Sequence, residues 1–297
     1  MKKNLVIVIL GQTSTGKSDL AVELAKKYKG EIISADSRQV YKGLNIGSGK
    51  ITKEEMQDIP HFGLDLVDPQ TVYSMADFKE YAFQKIEEIL SRDNTPFIVG
   101  GTGFFIQSIV DNFLLPDVPQ NPELRKQLEN ESLGSLQKKL EVLDPKKAKT
   151  IDTQNSHRLI RAIEIATSLG FVPPVQKQSS PYEFLQIGLF LPKEELQEKI
   201  KQRILIRLEH GMIEEVQNLH NNGVSWKRLE ELGLEYRYIA QFLQNKITKE
   251  EMIETLTNKT NQFAKRQMTW FKRDERIMWF KSNQNKEIEE EIKKIRT

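Results

Sequence analysis

Gly11-Gln12-Thr13-Ser14-Thr15-Gly16-Lys17-Ser18 fits the pattern G-x-x-x-x-G-K-[ST], a loop whose backbone N–H groups cradle a polyphosphate. Each residue type has a use in that chemistry. Gly11 and Gly16 allow backbone turns that a side chain would obstruct. Gln12, Thr13, Ser14 and Thr15 supply the intervening amides. Lys17 brings a positive charge to the phosphates, and the Ser18 hydroxyl suits Mg²⁺. A glycine-rich turn with an incidental lysine would need no particular flanks. Here Leu5–Leu10 is β-branched and apolar, as a buried parallel strand should be. Residues from Ser18 to Ala25 follow with helical spacing. Strand, loop and helix together place an anion at a helix N-terminus, where the dipole favours it. The motif specifies a pyrophosphate or polyphosphate and leaves open which molecule carries it.

Two further positions belong to the same end of the expected sheet. Glu31–Asp36 reads as a second strand, and in a parallel sheet the C-terminal strand ends face the ligand crevice. Asp36 therefore lies near whatever occupies the loop, as a general base, a helix N-cap or a partner of Mg²⁺. Pro96–Gly100 is another buried strand, and Gly100-Gly101-Thr102-Gly103 leads into a helix. That second glycine turn could form another backbone anion site.

Met75–Leu90 carries an amphipathic stripe at Phe78, Ala82, Ile86, Ile89 and Leu90. Strands alternating with such helices predict an α/β fold, a P-loop core with a mostly parallel sheet flanked by helices. Three prolines between Leu115 and Pro122 mark a hinge, and Pro173, Pro174 and Pro181 mark a second. Between them the pattern is helical. The expected organisation is a core of residues 1–115 and 184–297, with an all-helical insertion at 116–183. Phe184–Leu191 returns to strand texture. Leu196, Ile200, Ile204, Leu208, Met212 and Val216 then predict one long helix, with Arg203 and Arg207 on a neighbouring face.

The chain has no cysteine, which excludes disulfides and thiolate metal sites and fits a reducing cytoplasm. No apolar run is long enough to span a membrane. The net charge of +2 gives no global nucleic-acid signal. Locally, Lys259–Lys281 holds seven basic and two acidic residues, interleaved with Trp270, Phe271, Trp279 and Phe280. Such a stretch can bind phosphates and stack bases, or be a helix with its aromatics turned inward.

Gly11–Ser18, Asp36-Ser37-Arg38-Gln39-Val40-Tyr41-Lys42 and Asn45-Ile46-Gly47-Ser48-Gly49-Lys50 resemble the bacterial tRNA dimethylallyltransferases. So do Gly100–Gly103, Asn155-Ser156-His157-Arg158-Leu159-Ile160-Arg161-Ala162-Ile163-Glu164 and Gln262–Trp270. The matches are in order and span nearly the whole chain. The resemblance implies transfer of a dimethylallyl group from dimethylallyl diphosphate to N6 of adenosine 37 in the tRNA anticodon loop, with Mg²⁺. It also implies that the loop Thr13–Ser18 holds the donor's diphosphate, although such loops often bind ATP.

By the same resemblance Asp36 is the base at N6, Thr102 supports the reacting centre and Arg203 binds diphosphate. Asp36, Ser37, Arg38, Gln39, Thr102, Arg125, His157, Arg158, Leu159, Ile160, Arg161 and Arg237 are the implied tRNA contacts. A monomer in the cytoplasm is the expected state. Two departures stand out. Leu234-Glu235-Tyr236-Arg237 replaces a common Val-Gly-Tyr-Arg stretch, and Arg207 replaces a common methionine, read as a surface variation.

A small-molecule P-loop kinase would share the loop, the sheet and the position of Asp36, with the insertion as a lid. It would not require Asp36–Lys50, Asn155–Glu164 or Gln262–Trp270. A prenyl transferase acting on free AMP or ADP would not need so large an insertion. A non-catalytic nucleotide switch would need a second switch motif, which the sequence lacks.

Overall fold

The computed structural model describes residues 4–296. Among these the chain forms two compact units, one reaching Asn112 and resuming at Ser179, the other Phe113–Gln178. The larger unit opens with β1 (Leu5–Gly11), α1 (Lys17–Tyr28), β2 (Gly30–Ser34), a short α2 (Lys53–Met56) and β3 (His61–Phe62). It continues through α3 (Met75–Ser91), β4 (Thr95–Gly100) and α4 (Gly103–Val110). The smaller unit holds β5 (Phe113–Leu114), α5 (Pro122–Leu128), α6 (Leu133–Leu143), α7 (Pro145–Ala148), α8 (Ser156–Leu169) and β6 (Gln176–Lys177). The larger unit then resumes with β7 (Glu183–Phe190), α9 (Lys193–Glu209), α10 (Met212–Asn221), α11 (Trp226–Glu231) and α12 (Leu234–Leu243). It ends with α13 (Lys249–Phe271), β8 (Met278–Lys281) and α14 (Asn285–Arg296).

Six strands form one sheet in the order β3-β2-β4-β1-β7-β8. Every pairing in it is parallel. All seven residues of β1 are buried, which requires cover on both faces. Ile7 and Ile9 point towards α1 and α14, meeting Leu20, Leu24, Ile288 and Ile292. Val6, Val8 and Leu10 point the other way, towards Phe78 and Ile86 of α3 and Phe105 and Ile109 of α4. The alternation is the two-residue period of a strand. With β4 on one side of β1 and β7 on the other, the phosphate loop leaves the sheet at its centre. A third cluster joins Val40, Tyr41 and Leu44 to α9–α13 through Ile204, Val216, Tyr236 and Leu256. It braces the segment that follows Asp36.

The parallel sheet flanked by helices agrees with the sequence reading, with four local differences. The long helix expected from Leu196 to Val216 is two helices, α9 and α10, separated at Gly211 (φ 94°). A glycine in the left-handed region ends a helix at little steric cost, and the four-residue stripe carries across the break. The insertion is not wholly helical, since Phe113 and Leu114 pair antiparallel with Lys177 and Gln176. Those two pairs lie at the entry and exit of the smaller unit. The basic, aromatic stretch is also not one helix. Asp274 Oδ1 accepts the Arg276 N–H at 3.0 Å, a side-chain turn, and β8 then pairs with β7. Finally, β3 has only two residues, too few to show a period. No described helix is long and apolar enough to cross a membrane.

Candidate active site

The loop between β1 and α1 is built around close backbone approach. A Cβ at Gly11 (φ 142°) would lie 2.3 Å from the carbonyl O of Leu189 on β7. No side chain caps the N-terminus of α1, so the first amides of a twelve-residue helix are left for an external anion. Ser14 sits at φ 65°, and its Oγ is buried without a hydrogen-bond partner. A buried hydroxyl with no partner in an anion-binding loop fits an oxygen-rich ligand. Thr15 Oγ1 donates to the Gln12 carbonyl at 2.9 Å. Lys17 Nζ donates to the same carbonyl at 2.5 Å.

Thr13, Lys17, Ser18, Asp36, Gln39 and Arg203 line one cavity of about 120 Å³, with Ala21, Ile32, Ile51 and Val99 as its apolar wall. Arg203 reaches the loop from α9 and donates to Thr13 Oγ1. Cations crowd this space. Burial lowers Lys17 to about 7; neighbouring Arg203 adds to the shift and Asp36 opposes it. Burial likewise brings Arg203 down to about 9, helped by Arg207 and opposed by Glu235 and Asp36. An anion here relieves the repulsion and stabilises the protonated amine. Binding of an anion that does not itself titrate near pH 8, such as sulfate, is therefore expected to be accompanied by proton uptake, with affinity falling as pH rises above about 7. Calorimetry in buffers of different ionisation enthalpy measures that uptake; proton release at pH 8 would contradict it.

Asp36 lies just beyond β2. Its Oδ1 accepts the Arg38 N–H at 2.8 Å. Thr102, ahead of α4, is tied to the same segment: Thr102 Oγ1 accepts the Ser37 N–H at 3.1 Å. Gln39 accepts from Ser34 Oγ at 2.8 Å and donates to the Gly49 carbonyl at 3.0 Å. Burial lowers the pKa of Arg38, with Tyr41 and Asp36 opposing. The structure thus brings Asp36, Ser37, Gln39 and Thr102 together beside the phosphate loop.

Glu215, which the sequence did not single out, and Tyr236 of the Leu234–Arg237 stretch hold the cavity wall formed by Ser48 and Gly49. Glu215 on α10 accepts the N–H groups of Asn45, Ile46 and Gly47 at 2.9, 2.6 and 3.0 Å. Tyr236 Oη donates to Glu215 at 2.8 Å and accepts the Ser48 N–H at 3.1 Å. Four successive amides are therefore satisfied from within the protein. Glu215 sits in an ordinary acidic helix turn, so its sequence gave no sign of this role. Arg207 needs correcting. Its side chain is only 13% exposed and pairs with Glu235 at 3.7 Å, so it is not a surface variation. It also donates to the Gly47 carbonyl at 3.3 Å. Arg237 is exposed and donates to the Glu230 carbonyl at 2.8 Å.

The residues expected to meet tRNA in the smaller unit separate into two groups. Arg125 donates through Nε and Nη2 to the two oxygens of Glu164, both at 2.7 Å. Arg161 donates to Glu164 at 3.3 Å and to the Val118 carbonyl at 2.8 Å. Both arginines are thus engaged by their own unit. Leu159 and Ile160 are buried in its core with Leu136 and Ile163, so their side chains pack inside the unit. His157 and Arg158 are exposed, with Arg158 paired to Asp152 at 3.3 Å.

A phosphate-binding loop on a parallel α/β sheet, with a carboxylate in the same cavity, defines a group-transfer enzyme acting on a phosphorylated substrate. The family model described as IPP transferase matches residues 39–274. The chain is 42% identical over 301 residues to "tRNA dimethylallyltransferase 1" of Syntrophus aciditrophicus, covering 99% of this chain and 98% of that protein. It is 45% identical over 280 residues to "tRNA dimethylallyltransferase 2" of Treponema denticola, covering 92% and 93%. The crystal structure of the tRNA isopentenylpyrophosphate transferase from Bacillus halodurans superposes with a TM-score of 0.74 at 35% identity, covering 99% of this chain and 96% of that one. A eukaryotic dimethylallyltransferase acting on tRNA gives 0.77 at 25% identity, covering 95% and 74%. The chain belongs to the IPP transferase family.

Proposed function

We propose that this enzyme transfers a dimethylallyl group from dimethylallyl diphosphate to N6 of adenosine 37 in tRNA, releasing diphosphate. The supporting observation is one cavity shared by the loop, Lys17, Ser18, Arg203 and Asp36. The loop amides, Lys17 and Arg203 hold the diphosphate and meet the charge that develops as its bond to the allylic carbon breaks. Adenine N6 is a weak nucleophile because its lone pair is delocalised. Its proton becomes acidic as the new bond to carbon forms, and Asp36 accepts it. Thr102 fixes the adjacent Ser37 and so the direction of Asp36. The hard hydroxyl oxygen of Ser18 fits Mg²⁺. When bound, Mg²⁺ neutralises part of the diphosphate charge.

The adenine must leave its stack to enter such a cavity. Ser37, Arg38, Arg237, His157 and Arg158 are the proposed RNA contacts, with the helical unit as an RNA-binding module. We place the enzyme in the cytoplasm, with its tRNA, as a monomer.

Incubation with dimethylallyl diphosphate, Mg²⁺ and tRNA, followed by mass spectrometry of the anticodon loop, tests the reading. The expected result is one dimethylallyl group on adenosine 37, no transfer to AMP, and tighter binding of the allylic diphosphate than of ATP by calorimetry. ATP consumption with phosphorylation of a small molecule would replace this reading with a kinase.

A further inference from the structure

We propose that Gln267 is a positioning residue that couples the phosphate loop to the glycine turn carrying Thr102. It lies on α13, in a segment that the reaction chemistry above does not use. Its side chain is nearly inaccessible, at 7% exposure. Its Oε1 accepts the Thr13 N–H at 2.8 Å, and its Nε2 donates to the Gly101 carbonyl at 2.9 Å. One amide group thus bridges the turns at the C-terminal ends of the adjacent strands β1 and β4.

The same face of α13 reinforces the bridge. Three residues earlier, the Ala264 carbonyl accepts Gln12 Nε2 at 3.1 Å. Three residues later, the Trp270 ring occupies the space where a Cβ on Gly103 would sit, 2.4 Å from it. Residues 12 and 13 of one turn and 101 and 103 of the other are therefore fastened to one rigid helix face. Each turn leads on to a group placed at the reacting centre. Thr13 accepts from Arg203. Thr102 accepts the Ser37 N–H, beside Asp36.

Gln267 has the donor–acceptor asymmetry that this place demands. Thr13 offers an N–H and Gly101 a carbonyl, so the bridge needs one acceptor and one donor on a planar group. Glutamate could still accept from Thr13 but would set a second oxygen against the Gly101 carbonyl. Methionine has the length but neither function. Either change opens the link to Gly101 and leaves its carbonyl unpaired. With the link intact, diphosphate held by the loop also orders the Gly101–Thr102 turn, and by linkage the ordered turn favours diphosphate. This coupling rests on the proposal that the loop holds the donor's diphosphate.

Hydrogen exchange on the full-length protein tests it without turnover. Peptides covering residues 11–18 and 100–110 are followed with and without inorganic diphosphate and Mg²⁺. In the parent, both segments gain protection. In Gln267→Met and Gln267→Glu, the first gains protection and the second does not. Single-turnover transfer at saturating donor and tRNA falls about 5–150-fold in Gln267→Met, the range of ordinary site–site coupling, while tRNA affinity is unchanged. Gln267→Glu keeps the bond to Thr13 and gives a folded readout should Gln267→Met fold poorly. Protection of both segments in both variants, or of 11–18 alone in the parent, overturns the coupling. Absence of protection at 11–18 in the parent would instead overturn the diphosphate reading of the loop, and the coupling with it.

Discussion

In Asp36→Asn, single-turnover transfer of the dimethylallyl group falls about 10²–10⁴-fold, the usual cost of losing a general base. The substitution removes basicity and little else. Asparagine Oδ1 can still accept the Arg38 N–H that Asp36 accepts at 2.8 Å, so the turn after β2 survives. Diphosphate affinity changes little, because the anion is held by the loop amides, Lys17 and Arg203. Two electrostatic consequences oppose each other there. Asp36 raises the pKa of Lys17 and of Arg203, so its loss weakens the cations, yet it also removes a negative charge beside the ligand. A purely structural Asp36 predicts the opposite pattern, a loss of about 1 kcal/mol in stability with the chemical step nearly intact. Single-turnover kinetics at saturating tRNA, beside a thermal melt, distinguishes the two. A variant that melts early yet transfers at the parental rate would falsify the assignment.

Arg125→Ala destabilises the helical unit by about 3 kcal/mol, the low end for a broken buried ion pair. Glu164 is 1% exposed and takes two 2.7 Å bonds from Arg125. Arg161 and the Asn121 N–H at 2.9 Å remain as partial compensation. Arg158→Ala, at a 61% exposed side chain paired with Asp152, costs at most about 1 kcal/mol. It should instead weaken tRNA binding and reduce the salt slope by about one contact's share. The pH dependence has a definite sign. Burial raises the Glu164 pKa, but hydrogen bonds from Arg125 and Asn121 outweigh it and leave the pKa lowered. The stabilisation is therefore present above the unfolded carboxylate pKa of about 4.3 and is lost as pH falls below it. Hydrogen exchange in α8 under increasing urea, at neutral and acidic pH, reads both effects. If Arg125→Ala leaves α8 as protected as in the parent while tRNA binding collapses, Arg125 is an RNA contact and not a structural one.

The parts of this molecule written in contiguous residues were legible from the sequence. The apolar run Leu5–Leu10, the glycine pattern and the helix after it make one local unit, and its geometry follows from sterics alone. Asp36 and Thr102 were legible because strand ends of a parallel sheet converge. Partnerships between distant residues were not. Glu215 and Tyr236 satisfy four amides of a loop that lies 170 residues earlier in the chain for Glu215 and 188 for Tyr236, and no local pattern encodes that. The break at Gly211 was not anticipated, because the four-residue apolar stripe runs unbroken across it. The arginines of the insertion were read as RNA contacts because the resemblance implied it. Their partner Glu164 lies three residues after Arg161, the spacing of neighbours on a helix, so the competing reading was already present in the quoted motif.

Arg207 and Glu235, both noted in the sequence as departures from the resemblance, form an ion pair. Its members act on Arg203 in opposite senses, Arg207 lowering its pKa and Glu235 raising it. Taken together their effects on Arg203 oppose each other. Taken singly each lacks that opposition: Arg207 alone would confront Arg203 with an unbalanced cation, and Glu235 alone would leave a carboxylate, 19% exposed, without its counter-charge. The two sites are therefore a single unit of exchange. A chimera or consensus variant that imports one without the other carries a half-finished substitution beside the cavity that Arg203 lines.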